Sequence, residues 1–310
     1  VINFRYHVVS LTAVFLALAI GLVVGTAALN GPVADSLKDR VDALSKDNGN
    51  YRDQANQYLE ELNRAQDFAT QLAPTVLSGT LTGRRLALVV LPSAGDGAAD
   101  GVTAMLKTAG ARITTTLTVQ DKFFDPAQEY ELLDLANQAS APTVPAAGLP
   151  LNSDGVETSS ALLALALLQR SPQVDAEDLT AVLTAYEKPG YIAVGDNPVA
   201  GAEATVVVSG LPPVDSDAAK KSHDAVTVTT QFAKDRPVVV AGNGIGDGNL
   251  ISEVRGDPFL VKKISTVDNV STEQGHLATA MTVVQRLVRG KVGQYGLSTG
   301  ATSLVPQPAS

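Results

Sequence analysis

A single N-terminal transmembrane helix, a coiled-coil stalk and a largely parallel, Rossmann-like α/β head domain are what this 310-residue sequence predicts. Three observations predict them. Residues 8–29 form an apolar run without a charge, residues 37–72 repeat apolar positions at alternating spacings of four and three, and beyond Pro74 short Val-rich runs alternate with helical patterns. The organisation that follows is an anchor over 1–30, a stalk over 31–75, an α/β head over 76–296 and a disordered polar tail over 297–310.

The apolar run VVSLTAVFLALAIGLVVGTAAL holds 22 residues, which as a helix rising 1.5 Å per residue cover about 33 Å, enough for a bilayer core. A secretory leader has an apolar stretch of only about 7–15 residues. Length therefore favours a retained anchor, even though Thr26, Ala27 and Ala28 are small enough for a cleavage site. Gly21 and Gly25 form a small-xxx-small pair, the spacing that lets two helix backbones approach in lipid. Arg5 precedes the run and Lys38 and Arg40 follow it, so the positive charges nearly balance. A long following domain translocates largely regardless of charge, which favours a cytoplasmic N-terminus and an extracytoplasmic head on the cell membrane.

In the stalk the seam reads Leu37, Val41, Leu44, Asn48, Tyr51, Ala55, Tyr58, Leu62, Ala65, Ala69 and Leu72, and Asn48 is its one polar member. Such a run predicts about five heptads of coiled coil ending at Pro74. Asn48 falls at an a position, where a buried Asn fixes register and favours a parallel dimer at some loss of stability. Neighbouring Gly49 weakens the helix by about 1 kcal/mol relative to Ala. The alternative is one long amphipathic helix folded back on its own domain, since Ala-rich seams also suit intramolecular packing. The expected partners are a second copy or a related chain through the stalk, another envelope membrane protein, and membrane lipid.

Beyond Pro74, residues 85–91 (RLALVVL) read as a buried strand, 97–109 as a helix and 111–119 as a second strand, a βαβ opening. Further helices fit 130–139, 156–169, 176–188 and 273–288, and further strands 191–195, 205–209 and 237–241. Residues 142–155 and 210–215 read as loops. Val-rich strands with helices between them imply a mostly parallel sheet covered on both faces.

Composition excludes several chemistries. With no cysteine, the chain has no thiolate nucleophile, disulfide or Cys-containing metal site. Its 32 acidic against 23 basic residues, a net charge of −9, argue against nucleic acid. The turn from Pro92 to Gly97 lies where α/β folds hold ligands, but it has neither phosphate-loop nor dinucleotide spacing, and Asp96 and Asp100 would repel a phosphate. The glycine-rich stretch 242–248 has the wrong spacing as well and reads as a flexible turn. Ser222-His223-Asp224 contains three triad residue types, but triad members converge from separate segments, so a solvated helix face is expected. His7 and His276 lack a second His four residues away, and Met105 and Met281 sit in apolar helical patterns that read as core. Asp175, Glu177 and Asp178 read as the acidic first turn of a helix. No catalytic, cofactor or metal residue is predicted, and the chain is not expected to be an enzyme.

Residues 7–25 (HVVSLTAVFLALAIGLVVG) before a heptad stalk, then 204–210 (ATVVVSG), 264–269 (ISTVDN) and 290–296 (GKVGQYG), together resemble the actinobacterial MctB family in order over nearly the whole chain. The resemblance implies copper efflux or copper resistance through a pore-like envelope protein, while SteB-like relatives imply a partner membrane protein and cell separation. The residues themselves favour the latter kind of role. Cu(I) prefers thiolate, thioether and imidazole ligands, and this chain offers two Met, three His and no Cys. One transmembrane helix cannot enclose a channel, and no series of ten-residue alternating segments suits a barrel. A noncatalytic envelope scaffold is the leading expectation, with copper handling and an α/β enzyme behind it.

Overall fold

The computed structural model describes residues 4–29, 31–92, 94–95, 97–169 and 173–307. These fall into two compact units, one ending at Arg64 and one beginning at Ala65. Helix α1 runs Phe4–Leu29, and among the described residues it is the one helix long and apolar enough to cross a membrane. Phe15, Leu16, Leu18 and Leu22 are all exposed, as suits a helix whose surroundings are hydrocarbon. Both of its threonine hydroxyls are satisfied internally: Thr12 Oγ1 donates to the Val8 carbonyl at 2.8 Å and Thr26 Oγ1 to that of Leu22 at 2.9 Å. Nothing lies within 4 Å of where a Cβ on Gly21 or Gly25 would stand, so that small-residue face is open.

Helix α2 spans Pro32–Leu77, and its 46 residues carry the 4-3 pattern without a break. Leu37, Val41, Leu44, Asn48, Tyr51, Tyr58 and Leu62 are all exposed in the single chain. The helix passes through Pro74, where the sequence predicted its end. Pro74 removes one backbone donor, but Ala73 and Leu77 are buried among Leu81, Leu86 and Leu106, and that burial holds the last turn. Ala69, a predicted seam residue, is buried in the same cluster, so at this end the intramolecular alternative describes the helix.

The second unit is built on a seven-stranded sheet. Its strands are β1 (Arg85–Val90), β2 (Arg112–Val119), β3 (Ile192–Val194), β4 (Ala204–Val208), β5 (Val238–Ala241), β6 (Ile264–Val267) and β7 (Gln294–Tyr295). The order is β3-β2-β1-β4-β5-β6-β7, all parallel except β3, which pairs antiparallel with β2 at the edge. Alternation along the strands builds two cores. Leu86, Leu88, Val206 and Val239 face α3 (Ala98–Thr108), α9 (Glu273–Arg289) and the end of α2; Ala87, Val89, Val207 and Val240 face α5 (Gly155–Leu168), α6 (Ala176–Glu187) and α7 (Ala218–Phe232). Helices α4 (Glu129–Gln138) and α8 (Leu250–Gly256) complete the second layer.

In the head the predicted helices and strands lie within about two residues of the observed ones. The sequence assigned no range to α7, α8, β6 or β7. Helix α7 (AAKKSHDAVTVTTQF) has no clean apolar period, and Ser265 and Thr266 put two buried polar residues into the four of β6. Ser222-His223-Asp224 lies on α7, but the solvated face expected of it holds for His223 alone, since Ser222 and Asp224 are buried.

The tail predicted as disordered is folded onto the sheet through residue 307, while residues 308–310 lie outside the described residues. A buried ion pair explains the difference. Arg255 Nη1 lies 2.8 Å from Asp268 Oδ2, with the two side chains 7% and 0% exposed. Arg255 also donates to Thr266 Oγ1 at 2.9 Å and to the Tyr295 carbonyl at 2.8 Å. Asp268 Oδ1 in turn accepts from the Leu297 backbone at 2.7 Å, and Thr302 donates to the Gln294 carbonyl at 2.7 Å. Polar composition hid this order, because the segment is held by hydrogen bonds and charge instead of apolar burial.

Removing one member of such a pair leaves the other charged and buried. Asp268→Asn should therefore lower stability by about 3–5 kcal/mol, measured by denaturant unfolding, with residues 297–303 losing amide protection first. A change under about 1 kcal/mol, within the usual range for surface pairs, would show that the clasp does not hold the tail.

Candidate binding cavity at the carboxyl edge of the sheet

From β1 the chain first moves outward to β2 and later returns to the other side of β1 as β4. In an open α/β sheet this reversal leaves a crevice beyond the carboxyl ends of the two strands, the place where such folds take ligands. A cavity of about 290 Å³ lies there. Leu91 and Pro92 follow β1, residues 209–215 follow β4, Asp121 and Phe124 follow β2, and Gly248 and Leu250 follow β5; Lys221, Ser222 and Ala225 close it from α7.

Local chemistry explains why the walls stand as they do. Gly248 has φ +73°, and a Cβ there would lie 2.8 Å from Ser222 Oγ, so only glycine brings the loop this close to α7. The stretch 242–248, expected to be a flexible turn, is laced by asparagines at and just beyond it: Asn249 Nδ2 donates to the Asn243 carbonyl at 3.0 Å, Asn249 Oδ1 caps α8 by accepting from Ile251 at 2.9 Å, and Asn243 Oδ1 accepts from Ser271 at 2.8 Å. Pro92, Pro212 and Pro213 remove backbone donors from the mouth.

The floor is apolar and the mouth is charged. Lys221 Nζ donates to Asp215 Oδ2 in a close ion pair. That bond holds the Lys221 ammonium above its ordinary range and pulls the Asp215 carboxyl below its own. Asp121 is exposed and has no ion-pair partner among the described residues. Ser209 is 2% exposed, and its Oγ has no hydrogen-bond partner. Neither the Ser209 nor the Ser222 hydroxyl bonds to a basic side chain, and Lys221 is held protonated. The arrangement can bind, and it offers no activated nucleophile among the described residues.

Apart from Ser222 and the Pro92 and Gly248 ends of the two loops considered, which line the cavity, the residues singled out in the sequence lie elsewhere. Asp178 Oδ2 accepts from the Thr143 backbone at 2.8 Å and so pins a turn. His7 is on α1 and exposed. Met105 and Met281 share the apolar cluster of the α3–α9 layer. His276 lies in that layer too, and its ring fills the space above Gly101, where a Cβ would stand 2.0 Å from Cε1. Both ring nitrogens are buried without a hydrogen bond, and Nδ1 is 3.4 Å from Glu273 Oε2. Met105 on α3 thus shares one layer with His276 and Met281 of α9, although no group of three His, Asp or Glu that could hold a metal occurs among the described residues. Asp96, which was expected to repel a phosphate, lies outside the described residues.

A family model described as copper transport outer membrane protein, MctB, matches residues 1–306. The chain belongs to the MctB family. Among its relatives, the copper transporter MctB of Mycobacterium tuberculosis is 28% identical over 314 residues, covering 98% of each chain. That of Mycobacterium bovis matches equally, and that of Mycobacterium leprae is 30% identical over 325 residues, covering 99% of this chain and all of the relative. The segments on which the MctB resemblance was read have structural positions: 204–210 is β4 and its exit, 264–269 is β6 with Asp268, and 290–296 is β7 and its approach.

The sequence named Pro92, Gly248 and Ser222 within segments that were each set aside, and it did not join them into one site, because the crevice depends on strand order. Had that order been known, the segment GLPPVD after β4 would have marked it. The Asp215–Lys221 pair gives a titration to observe. Asp215 should titrate below the ordinary 3.8, so its contribution is present above that pH and is lost as the pH falls through the lowered value. Carboxyl-carbon NMR should show this midpoint moving back up in Lys221→Met. An unchanged midpoint would mean that the pair does not form in solution.

Proposed function

We propose that this chain is a noncatalytic envelope scaffold, anchored by α1, self-associating as a parallel coiled coil through α2, and presenting its α/β head outside the cytoplasm to another envelope membrane protein. The exposed seam of α2 carries the reading. Leu37, Val41, Leu44, Tyr51 and Tyr58 are 64%, 58%, 68%, 70% and 69% exposed, at the spacing of a coiled-coil seam, on a helix whose off-seam side chains are mostly polar, with Leu59 and Phe68 as exposed apolar exceptions. Apolar residues so placed gain stability only when a second helix covers them. Two copies anchored in one membrane by the same end are parallel by construction, and Asn48 at an a position suits that pairing.

Copper handling is the second reading, supported by the name of the relatives and by Met105, Met281 and His276 sharing one layer, since thioether and imidazole are copper ligands. Stoichiometric Cu(I) uptake by the purified full chain, abolished by His276→Ala, would favour it over a scaffold alone.

The absence of native cysteine makes the stalk test clean. Leu44→Cys, on the seam, should give a disulfide-linked dimer in membranes under mild oxidation, whereas Lys46→Cys, on the outer face, should not. Equal crosslinking at both positions, or none at either, would remove the parallel dimer. Asn48→Leu should strengthen association while broadening the oligomer distribution on sedimentation.

A further inference from the structure

We propose that the cavity between the ends of β1 and β4 is a binding site for a small organic cation, an ammonium group carried on a compact apolar body. The inference goes beyond the scaffold reading and does not depend on stalk self-association.

Shape and charge lead to it separately. At about 290 Å³ the cavity has room for roughly ten water-sized groups, the lower end of small-molecule sites. Leu91, Phe124, Ala225 and Leu250 supply apolar walls for the body of a ligand. The usual occupant of this crevice is a phosphate, held by backbone N–H groups and a helix N-terminus. Here that chemistry is reversed. Pro92, Pro212 and Pro213 take donors away from the mouth, and its charged side chains are two carboxylates and one ammonium. Lys221 is bonded to Asp215, which leaves Asp121 as an exposed carboxylate that feels the same ammonium but makes no close ion pair among the described residues. The mouth therefore presents a net negative charge over an apolar floor and repels anions. Inside, the buried Ser209 hydroxyl at the β4 exit has no partner among the described residues and can take one further polar contact.

Benzylammonium and benzoate test this directly, because the two share an aryl body and differ in the sign of the head. With the full chain in detergent, saturation-transfer NMR should show saturable benzylammonium binding above that of empty micelles and none for benzoate. Asp121→Asn changes an exposed residue that supports no part of the core, and it should weaken benzylammonium binding about tenfold. Ala225→Leu should remove binding by filling the floor. Benzoate binding as well as benzylammonium, benzylammonium binding unchanged by both substitutions, or no saturation in the millimolar range would each overturn the proposal.

Discussion

The head depends on the two-sided burial of its central strands. In β1, β4 and β5 successive side chains alternate between two dry layers, so these strands have no face to give to water. That constraint requires helices on both sides and therefore parallel crossovers, and it places all strand exits but that of β3 along one edge. It also gives the last turns of α2 a place. Ala69, Ala73 and Leu77 recur every fourth residue, and their stripe covers the same sheet face as α3 and α9. The crevice is a consequence of the same topology, because the crossovers leaving β1 and β4 run in opposite directions and cannot both close the space above the two strands.

Much of this was legible because it is periodic. Residues 8–29, the α2 seam and the Val-rich runs of β1, β4 and β5 each repeat long enough for one reading to prevail. What escaped was short or polar. Two-residue β7 has no period, Ser265 and Thr266 obscure β6, and α7 mixes Thr, Lys and Ala on both faces. The cavity escaped for another reason. Asp121, Lys221 and Leu91 are far apart in the chain and meet only once the strand order is set, which no local pattern states.

The folded tail shows how composition misleads when order is electrostatic. Residues after Gly296 carry few apolar side chains, yet Arg255 and Asp268 are buried beneath them and need partners. Arg255 finds the Tyr295 carbonyl and Asp268 finds the backbone N–H groups of Leu297 and Ser298. Each of these groups would otherwise be a buried unsatisfied dipole or charge, so the tail and the pair stabilise one another.

This bears on what family membership means here. The segments 204–210, 264–269 and 290–296, by which the chain is recognised, lie in the sheet interior and in the Arg255–Asp268 clasp, where they hold the architecture and line the cavity only at its β4 exit. The fold can therefore be carried between relatives by residues of the sheet and the clasp, while the cavity mouth is built from loops and the α2 seam from exposed side chains. Such positions can change without loss of the fold. A shared architecture with separate surfaces does not by itself fix one function.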